Sequence, residues 1–182
     1  MKSYVIWNNK GGIGKTMLSF LLSTEYALLH PDENIVVIDM CPQANVSQVI
    51  LGGSDNINAF NEQAQKRHTV ADYFINRYEK TPFQIMGIES EFYIQPKEFN
   101  DKLPDNLFLT VGSPKLEILN PIIDILTNNG QPVRIGGIDQ WKAVYNWIND
   151  LKTGIINKIG ENTIFFIDTN PSFANYTKIA IL

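Results

Sequence analysis

The chain has 182 residues, 44% of them apolar and 19% charged, a composition typical of one globular, soluble domain that buries roughly 70% of its unfolded surface. Its net charge of −4 and pI near 5.1, with no cluster of lysines and arginines, argue against a nucleic-acid-binding surface. The single cysteine, Cys41, excludes an internal disulfide and a thiolate zinc site, and no apolar run is long enough for a membrane-spanning helix, so we expect a cytoplasmic protein without a membrane partner.

The first forty residues predict a strand, a loop, a helix and a second strand. Residues 3–7 form a short apolar run typical of a buried strand, and residues 15–29 carry apolar side chains at helical spacing. The β-branched run 35–38 leads directly to Asp39. This order predicts a βαβ unit, in which a helix joins two parallel strands.

Two further strands are predicted by apolar runs that lack polar alternation. These runs are residues 107–111 and 163–167, and strands of this kind are covered on both faces of a parallel sheet. The fold class predicted from these elements is α/β, with a mostly parallel twisted sheet and helices on both faces, in three layers.

Helix-capping residues mark where the predicted helices begin. Ser113 and the proline after it open one helix, and Asp139 opens a longer one that extends to Gly160. Thr69 and Asp72 form a capping box in front of another, with aspartate in place of the usual glutamate.

Two regions depart from this regular pattern. Residues 52–68 and 78–106 mix asparagine, glutamine, proline and aromatic residues without a clear period, so we assign 52–106 to an irregular insertion or lid of a single domain spanning 1–182. Residues 176–182 predict a helix that has just begun, without a glycine cap or a polar last turn. This end predicts a C-terminally truncated chain with an incomplete fold.

The loop between the first strand and the first helix nearly matches the phosphate-binding pattern G-x-x-x-x-G-K-[ST]. In WNNKGGIGKT, residues 7–16, Asn9 stands where the first glycine is usual. Gly11, Gly12 and Gly14 allow backbone N–H groups to turn inward around phosphates, in front of the positive end of a helix. Asparagine is tolerable at position 9 because it enters the left-handed region more easily than most residues.

Two side chains that follow the glycines carry the chemistry of such a loop. Lys15 would reach the β and γ phosphates of a nucleotide, and the Thr16 hydroxyl would bind magnesium. A glycine-rich turn that only joins strand to helix is the alternative, but it does not explain why both residues occur in register. The sequence therefore predicts a P-loop NTPase.

A second lysine in the loop narrows the family. NNKGGIGKT, residues 8–16, resembles the deviant phosphate loop of the ParA/MinD ATPases, and the chain is most similar to their partition members, the ParA/Soj-like proteins. The resemblance implies that Lys10 crosses a nucleotide-sandwich homodimer and contacts the partner's ATP, as an arginine finger does. A solvated surface lysine is the alternative. The nucleotide-binding residues implied are Gly11, Gly12, Ile13, Gly14, Lys15, Thr16 and Met17.

The stretch VVIDMCPQANVSQ, residues 36–48, resembles the D-x-D-P-Q-x-N segment of that family. Asp39 follows the second strand, at the sheet end where open α/β folds bind ligands, and is a predicted catalytic residue with Lys10 and Lys15. Cys41 replaces the second aspartate, which in the family helps to organise the attacking water. Cys41 is either a small buried hydrophobe or a thiol with a chemical task.

The stretch FFIDTNPSF, residues 165–173, is an apolar strand that ends at an aspartate. It resembles the family's D-T-x-P-S segment, so Asp168 is predicted to hold magnesium together with Thr16. A helix-capping or turn aspartate is the alternative role.

The function implied by the resemblance is that of an ATP-dependent switch. Magnesium and ATP are the expected cofactors: ATP binding drives homodimerisation, slow hydrolysis to ADP and phosphate releases it, and an activating partner protein accelerates turnover. DNA binding is expected only through a C-terminal part that this sequence lacks. Because Cys41 replaces the switch aspartate, a non-hydrolysing binding or regulatory module is the alternative function.

Overall fold

A parallel sheet of four strands forms the centre of the molecule. The computed structural model describes residues 1–66, 68–83, 92–128, 134–135 and 138–181. The strands of this sheet run in the order β1–β6–β2–β3, and all of its neighbouring strands are parallel. They are β1 (Lys2–Ile6), β2 (Asn34–Met40), β3 (Leu107–Thr110) and β6 (Thr163–Thr169). A separate antiparallel pair consists of β4 (Arg134–Ile135) and β5 (Ile138–Asp139).

Helices cover both faces of the sheet and make three layers, as predicted. They are α1 (Lys15–Leu29), α2 (Asn45–Ile50), α3 (Ile57–Gln65), α4 (Val70–Lys80), α5 (Lys115–Asn128), α6 (Gln140–Tyr145), α7 (Trp147–Ile159) and α8 (Asn175–Ile181). Helices α1, α2 and α3 contribute to the apolar cluster on one face, whereas α4, α5, α7 and α8 contribute to the cluster on the other. The predicted α/β fold class is therefore confirmed.

The central strands are buried because successive side chains pack into the apolar clusters on opposite faces of the sheet. Val36 and Ile38 of β2 lie in the cluster with α4, α5 and α7. Val37 lies in the cluster with α1 and α2, as does Phe166 of β6. The absence of polar alternation in these runs thus has the physical cause predicted for it, because side chains on both faces are covered.

Helix α1 buries small side chains and exposes most of its large apolar ones. Ser19, Ser23 and Ala27 are buried against the sheet. The outer side carries large apolar residues that are 45–74% exposed: Met17, Leu18, Leu21, Leu22, Leu28 and Leu29. A group of exposed apolar side chains of this size is unusual for the outer face of a domain.

The region 52–106 is more regular than the sequence predicted. It contains a 3₁₀ turn at Gly53–Asn56 and helices α3 and α4, while residues 67 and 84–91 lie outside the described residues. The prediction missed α3 because asparagine, glutamine and glutamate separate its apolar residues and resemble the composition of a loop. Ala59 and Phe60 nevertheless pack on the cluster formed with α2, and this tertiary contact outweighs a weak local pattern.

The long helix predicted from Asp139 to Gly160 is interrupted. Asn146 separates α6 from α7, and its amide side chain donates a hydrogen bond to Asp150 Oδ1 at 2.8 Å. An asparagine that bonds a residue four positions ahead offers the chain a local alternative to a continuous helix. The predicted helix thus becomes two.

Side chains at the start of α4 and inside α7 hold the second layer in place. The predicted capping box is present, because Thr69 Oγ1 accepts a hydrogen bond from the Asp72 N–H at 3.2 Å and Asp72 Oδ2 accepts one from the Thr69 N–H. Arg77 Nη1 of α4 also forms an ion pair with Asp150 Oδ2 of α7 at 2.8 Å, and these two side chains are only 1% and 5% exposed.

Across the described residues, no helix combines the length and the apolar character needed to cross a membrane.

Candidate functional site

The glycine loop between β1 and α1 adopts a backbone that ordinary residues disfavour at two positions. Gly12 has a φ of 71° and Gly14 a φ of 85°, so a side chain at either position would be strained. Asn9 does not lie in the left-handed region; among the described non-glycine residues only Ala44 does. The predicted reason for asparagine at position 9 is therefore wrong, because the turn is made by the glycines that follow.

A neighbouring asparagine stabilises the start of the loop instead. Asn8 Oδ1 accepts a hydrogen bond from the Lys10 N–H at 2.9 Å, which is an Asx turn of the kind that shapes loops without positive φ. Gly11 packs beside Pro171, since a Cβ added at Gly11 would lie 3.9 Å from Pro171 Cγ. The loop is thus supported by Asn8 from within and by the segment after β6.

The two lysines of the loop occupy different environments. Lys15 reaches back over the loop, and its Nζ donates a hydrogen bond to the Lys10 carbonyl oxygen at 3.1 Å. Lys10 itself is exposed. In the described part of the chain, no hydrogen bond or ion pair of the Lys10 side chain occurs. Ile13 and Met17, also predicted to contact nucleotide, are 48% and 55% exposed beside the loop.

Thr16 and Asp168, the two residues predicted to hold magnesium, lie next to each other. Thr16 Oγ1 donates a hydrogen bond to Asp168 Oδ2 at 3.3 Å, although 152 residues separate them in the sequence. Burial raises the pKa of Asp168, whereas hydrogen bonds from Ser19 and Thr16 and the charge of Lys15 lower it. A cation beside this carboxylate would favour its charged form.

Asp39 lies on the strand next to Asp168 and is held by the segment that follows its own strand. The two aspartates are paired in the β2–β6 register. Asp39 Oδ2 accepts hydrogen bonds from Ser47 Oγ at 2.6 Å and from the Ser47 N–H at 3.1 Å, and Oδ1 accepts one from the Cys41 N–H. Burial, with a smaller contribution from the Asp168 carboxylate, raises the pKa of Asp39 to about 7, although the hydrogen bonds from Ser47 and the Cys41 N–H lower it.

Asp39 therefore fixes the segment from Cys41 to Ser47, and it is 0% exposed. None of the hydrogen bonds described for it joins it to Lys10 or Lys15. The structure brings Asp39 next to Asp168, while the hydrogen bonds described for Asp39 go to Cys41 and Ser47 and not to the phosphate loop.

Three residues that the sequence analysis missed support the two aspartates. Ser19 Oγ of α1 donates to Asp168 Oδ1 at 2.6 Å. The Gly112 N–H donates to Ser47 Oγ at 2.9 Å, and a Cβ at Gly112 would lie 2.6 Å from Asp39 Cγ. No side chain fits there without displacing Asp39. A serine inside a helix and a glycine after a strand belong to no sequence motif. Their roles become visible only when the sheet register places Asp168 and Asp39 beside them.

Cys41 is buried directly after β2, next to Asp39. It is 6% exposed, and burial together with the Asp39 carboxylate raises the pKa of its thiol to about 11. Of the two roles considered for Cys41, this environment favours the small buried hydrophobe, because the thiolate is the reactive form of cysteine.

We expect Cys41 to react at least 100-fold more slowly with 5,5′-dithiobis(2-nitrobenzoate) at pH 8 in the folded chain than in the unfolded chain. At this pH only about a thousandth of a thiol with a pKa near 11 is ionised. The measurement is the rate of release of the coloured thiolate, with and without urea. Equal rates would show that Cys41 is accessible and activated.

The oxygen atoms around Thr16 fit a hard cation. In the described ranges, no group of three or more His, Cys, Asp or Glu side chains could hold a metal ion. The protein would thus contribute the Thr16 hydroxyl and the Asp168 carboxylate, and the remaining ligands would come from water and phosphate. Magnesium is commonly bound in this way, because it keeps several waters and takes one or two carboxylates.

Solved structures of other proteins share the fold at low sequence identity. Protein DIP2308 from Corynebacterium diphtheriae superposes with a TM-score of 0.67 at 23% identity, over 100% of this chain and 58% of its own. A putative plasmid partition protein from Borrelia burgdorferi B31 bound to AMPPNP gives 0.54 at 21% identity, over 99% and 58%. Cobyrinic acid a,c-diamide synthase from Mycobacterium smegmatis, with ADP and magnesium, gives 0.54 at 15%, over 99% and 55%.

This chain therefore spans less than two thirds of the length of those structures. None of the curated proteins compared with it matches significantly. The family model described as AAA domain matches residues 1–110, which is more than half of the chain and includes the phosphate loop and Asp39. The chain therefore belongs to this family of AAA domains, and its sequence-based assignment to the ParA/MinD-type P-loop ATPases is confirmed.

Proposed function

We propose that the chain binds magnesium and ATP at the loop between β1 and α1 and acts as a nucleotide-gated dimer switch of the partition type. The observation that carries this proposal is the position of Lys15, whose Nζ lies over the loop at the Lys10 carbonyl. An ammonium group in this position can contact the β and γ phosphates of a nucleotide whose phosphates enter the loop. AMPPNP and ADP with magnesium in similar folds support the choice of ligand.

Different residues of the chain would bind the phosphates and the magnesium ion. The N–H groups around Gly12 and Gly14 and the start of α1 would bind phosphate oxygens. Thr16 and Asp168 would hold the magnesium ion, which offsets charge on the transferring phosphoryl group when bound. Hydrolysis to ADP and phosphate needs in addition a group that positions water, and Asp39 is too buried to touch water directly.

Lys10 is the residue that we assign to the dimer. Its side chain is exposed, while Lys15 already occupies the loop of its own chain. Two cations in one loop can each contact a triphosphate if Lys10 reaches the nucleotide of a second copy. In that position it would offset transition-state charge, a role worth about 10³ to 10⁵ in rate for arginine fingers.

A second function, nucleotide binding without hydrolysis, is favoured by Cys41. The buried thiol at this position cannot orient water as a carboxylate would, because its pKa is raised to about 11. In this case ATP would hold two copies together, and release would depend on exchange or on an activating partner protein rather than on turnover.

The experiment is a titration with ATP in magnesium buffer, followed by the fluorescence of the tryptophans, which include the half-exposed Trp7 at the start of the loop. Analytical ultracentrifugation measures the oligomeric state in parallel. We expect saturable binding and a shift from monomer to dimer that requires ATP. Absence of binding at millimolar ATP, or a dimer that forms equally without nucleotide, would contradict the proposal.

Measurement of phosphate release then separates the two functions. Slow turnover of the wild type supports the switch that hydrolyses ATP. Binding and dimerisation without turnover, together with activation by Cys41→Asp, support the non-hydrolysing module.

A further inference from the structure

Two hydroxyls from successive turns of α1 contact the same carboxylate. Ser19 Oγ lies 2.6 Å from Asp168 Oδ1, and Thr16 Oγ1 lies 3.3 Å from Asp168 Oδ2. Residues three apart on a helix face the same direction, so α1 presents both hydroxyls to the end of β6. The contact with Ser19 is much the shorter of the two.

The proton of Ser19 is directed at Asp168. Ser19 Oγ also lies 3.0 Å from the Lys15 carbonyl oxygen, but a hydroxyl has only one proton to donate. The shorter contact to an ionised oxygen is the stronger hydrogen bond. Ser23, one turn further along, is equally buried, but the acceptors near its hydroxyl are backbone carbonyl oxygens, those of Ser19 at 2.7 Å and of Phe20 at 3.1 Å.

Ser19 cannot itself be a ligand of an ion at the loop. It is 0% exposed and lies a turn deeper than Thr16, which is half-buried. Thr16 in turn cannot hold Asp168 alone, because its contact is long and its oxygen is the predicted ligand of the cation.

We propose that Ser19 is a positioning residue of the metal site, which fixes Asp168 Oδ1 so that Oδ2 faces Thr16 and the phosphate loop. The proposal rests on the proposed function, because the cation meant is the one bound with the nucleotide. Partners of metal ligands act in this way elsewhere, and their removal commonly weakens metal binding 10- to 100-fold.

The test compares Ser19→Ala with Ser23→Ala as the matched control from the same helix face. Mn²⁺ binding is followed by the electron paramagnetic resonance signal of the free ion, with and without ATP, and ATP binding is titrated with and without Mg²⁺. We expect Ser19→Ala to raise the Mg²⁺ concentration at half-saturation about 10-fold. The ATP affinity of Ser19→Ala without metal should stay within about 2-fold of the wild type. The same holds for Ser23→Ala, both for its ATP affinity without metal and for its Mg²⁺ concentration at half-saturation.

Two further variants separate positioning from packing. Ser19→Cys keeps the volume but has a weak donor, so it should behave like Ser19→Ala. Ser19→Thr should restore the wild-type Mg²⁺ dependence. A wild-type Mg²⁺ dependence of the folded Ser19→Ala or Ser19→Cys variant overturns the role of Ser19 and leaves the proposed function standing. If Mg²⁺ does not strengthen ATP binding by the wild type, the role of Ser19 is also overturned. If the wild type binds neither Mn²⁺ nor ATP, both the role of Ser19 and the proposed function are overturned.

Discussion

Replacement of Lys15 with alanine is expected to weaken ATP binding by about 100-fold or more. The Lys15 ammonium already lies over the loop at 3.1 Å from the Lys10 carbonyl, so it need not reorganise to contact phosphate. Removal of one partner of a buried charge pair costs roughly 2–5 kcal/mol, and about 2.7 kcal/mol corresponds to 100-fold. The measurement is the dissociation constant for ATP from tryptophan fluorescence or calorimetry.

Lys10→Ala is the control for this prediction, because it removes a cation from the same loop. Lys10 is exposed, so we expect the ATP affinity of the monomer to change by less than about 3-fold, the scale of an exposed charge. If both variants lost affinity equally, the two lysines would share one nucleotide, and the division of roles between them would be wrong.

Asp150→Ala is expected to lower the free energy of unfolding by about 3–5 kcal/mol. The change leaves Arg77, which is 1% exposed, without the carboxylate 2.8 Å from its Nη1. Removing one member of a buried ion pair is costly because the other charge stays buried without compensation. The midpoint and slope of urea unfolding, followed by circular dichroism, give the change in free energy.

An exposed ion pair of similar geometry is the matched control. Glu62 and Lys66 lie 2.6 Å apart, but their side chains are 57% and 50% exposed, so Glu62→Ala should cost less than about 1 kcal/mol. The double variant Arg77→Met/Asp150→Leu should recover most of the stability, because it removes both charges. A cost below about 1 kcal/mol for Asp150→Ala would show that the interior between α4 and α7 admits water.

The part of the site that is predictable from the sequence is the phosphate loop, where a local motif fixes the backbone geometry. Gly12, Gly14, Lys15 and Thr16 are adjacent in the chain, and each has a geometric requirement that restricts the residue type. Asp168 was placed correctly beside Thr16 because the carboxyl ends of parallel strands meet at one edge of the sheet.

The residues that support the site were not predictable, because they depend on contacts between distant segments. Ser19 and Ser47 look like ordinary polar positions in helices, and each acquires a role only when a strand delivers an aspartate to it. Gly112 is required because Asp39, 73 positions earlier in the chain, occupies the space of its missing Cβ. Periodicity and capping rules describe neighbours in sequence and contain no information on such contacts.

The same limit explains the errors in the fold. Helix α3 forms although asparagine and glutamine are frequent in its sequence, because Ala59 and Phe60 pack on α2 and its surroundings. The interruption at Asn146 depends on a hydrogen bond of 2.8 Å to Asp150, whose other oxygen is held by Arg77 of α4. The interruption between α6 and α7 therefore occurs beside an ion pair between distant segments, which the local sequence does not reveal.

The central claim is that Lys10 contacts the nucleotide of a second copy, and mixing two inactive variants tests it most directly. Lys10→Ala binds ATP but lacks the cation offered to its partner, whereas Lys15→Ala keeps Lys10 but binds ATP about 100-fold more weakly. With magnesium and AMPPNP, each variant alone should stay monomeric in analytical ultracentrifugation. An equimolar mixture should form heterodimers, each with one complete composite site. A mixture that stays as monomeric as its components, while the wild type dimerises, would contradict the claim.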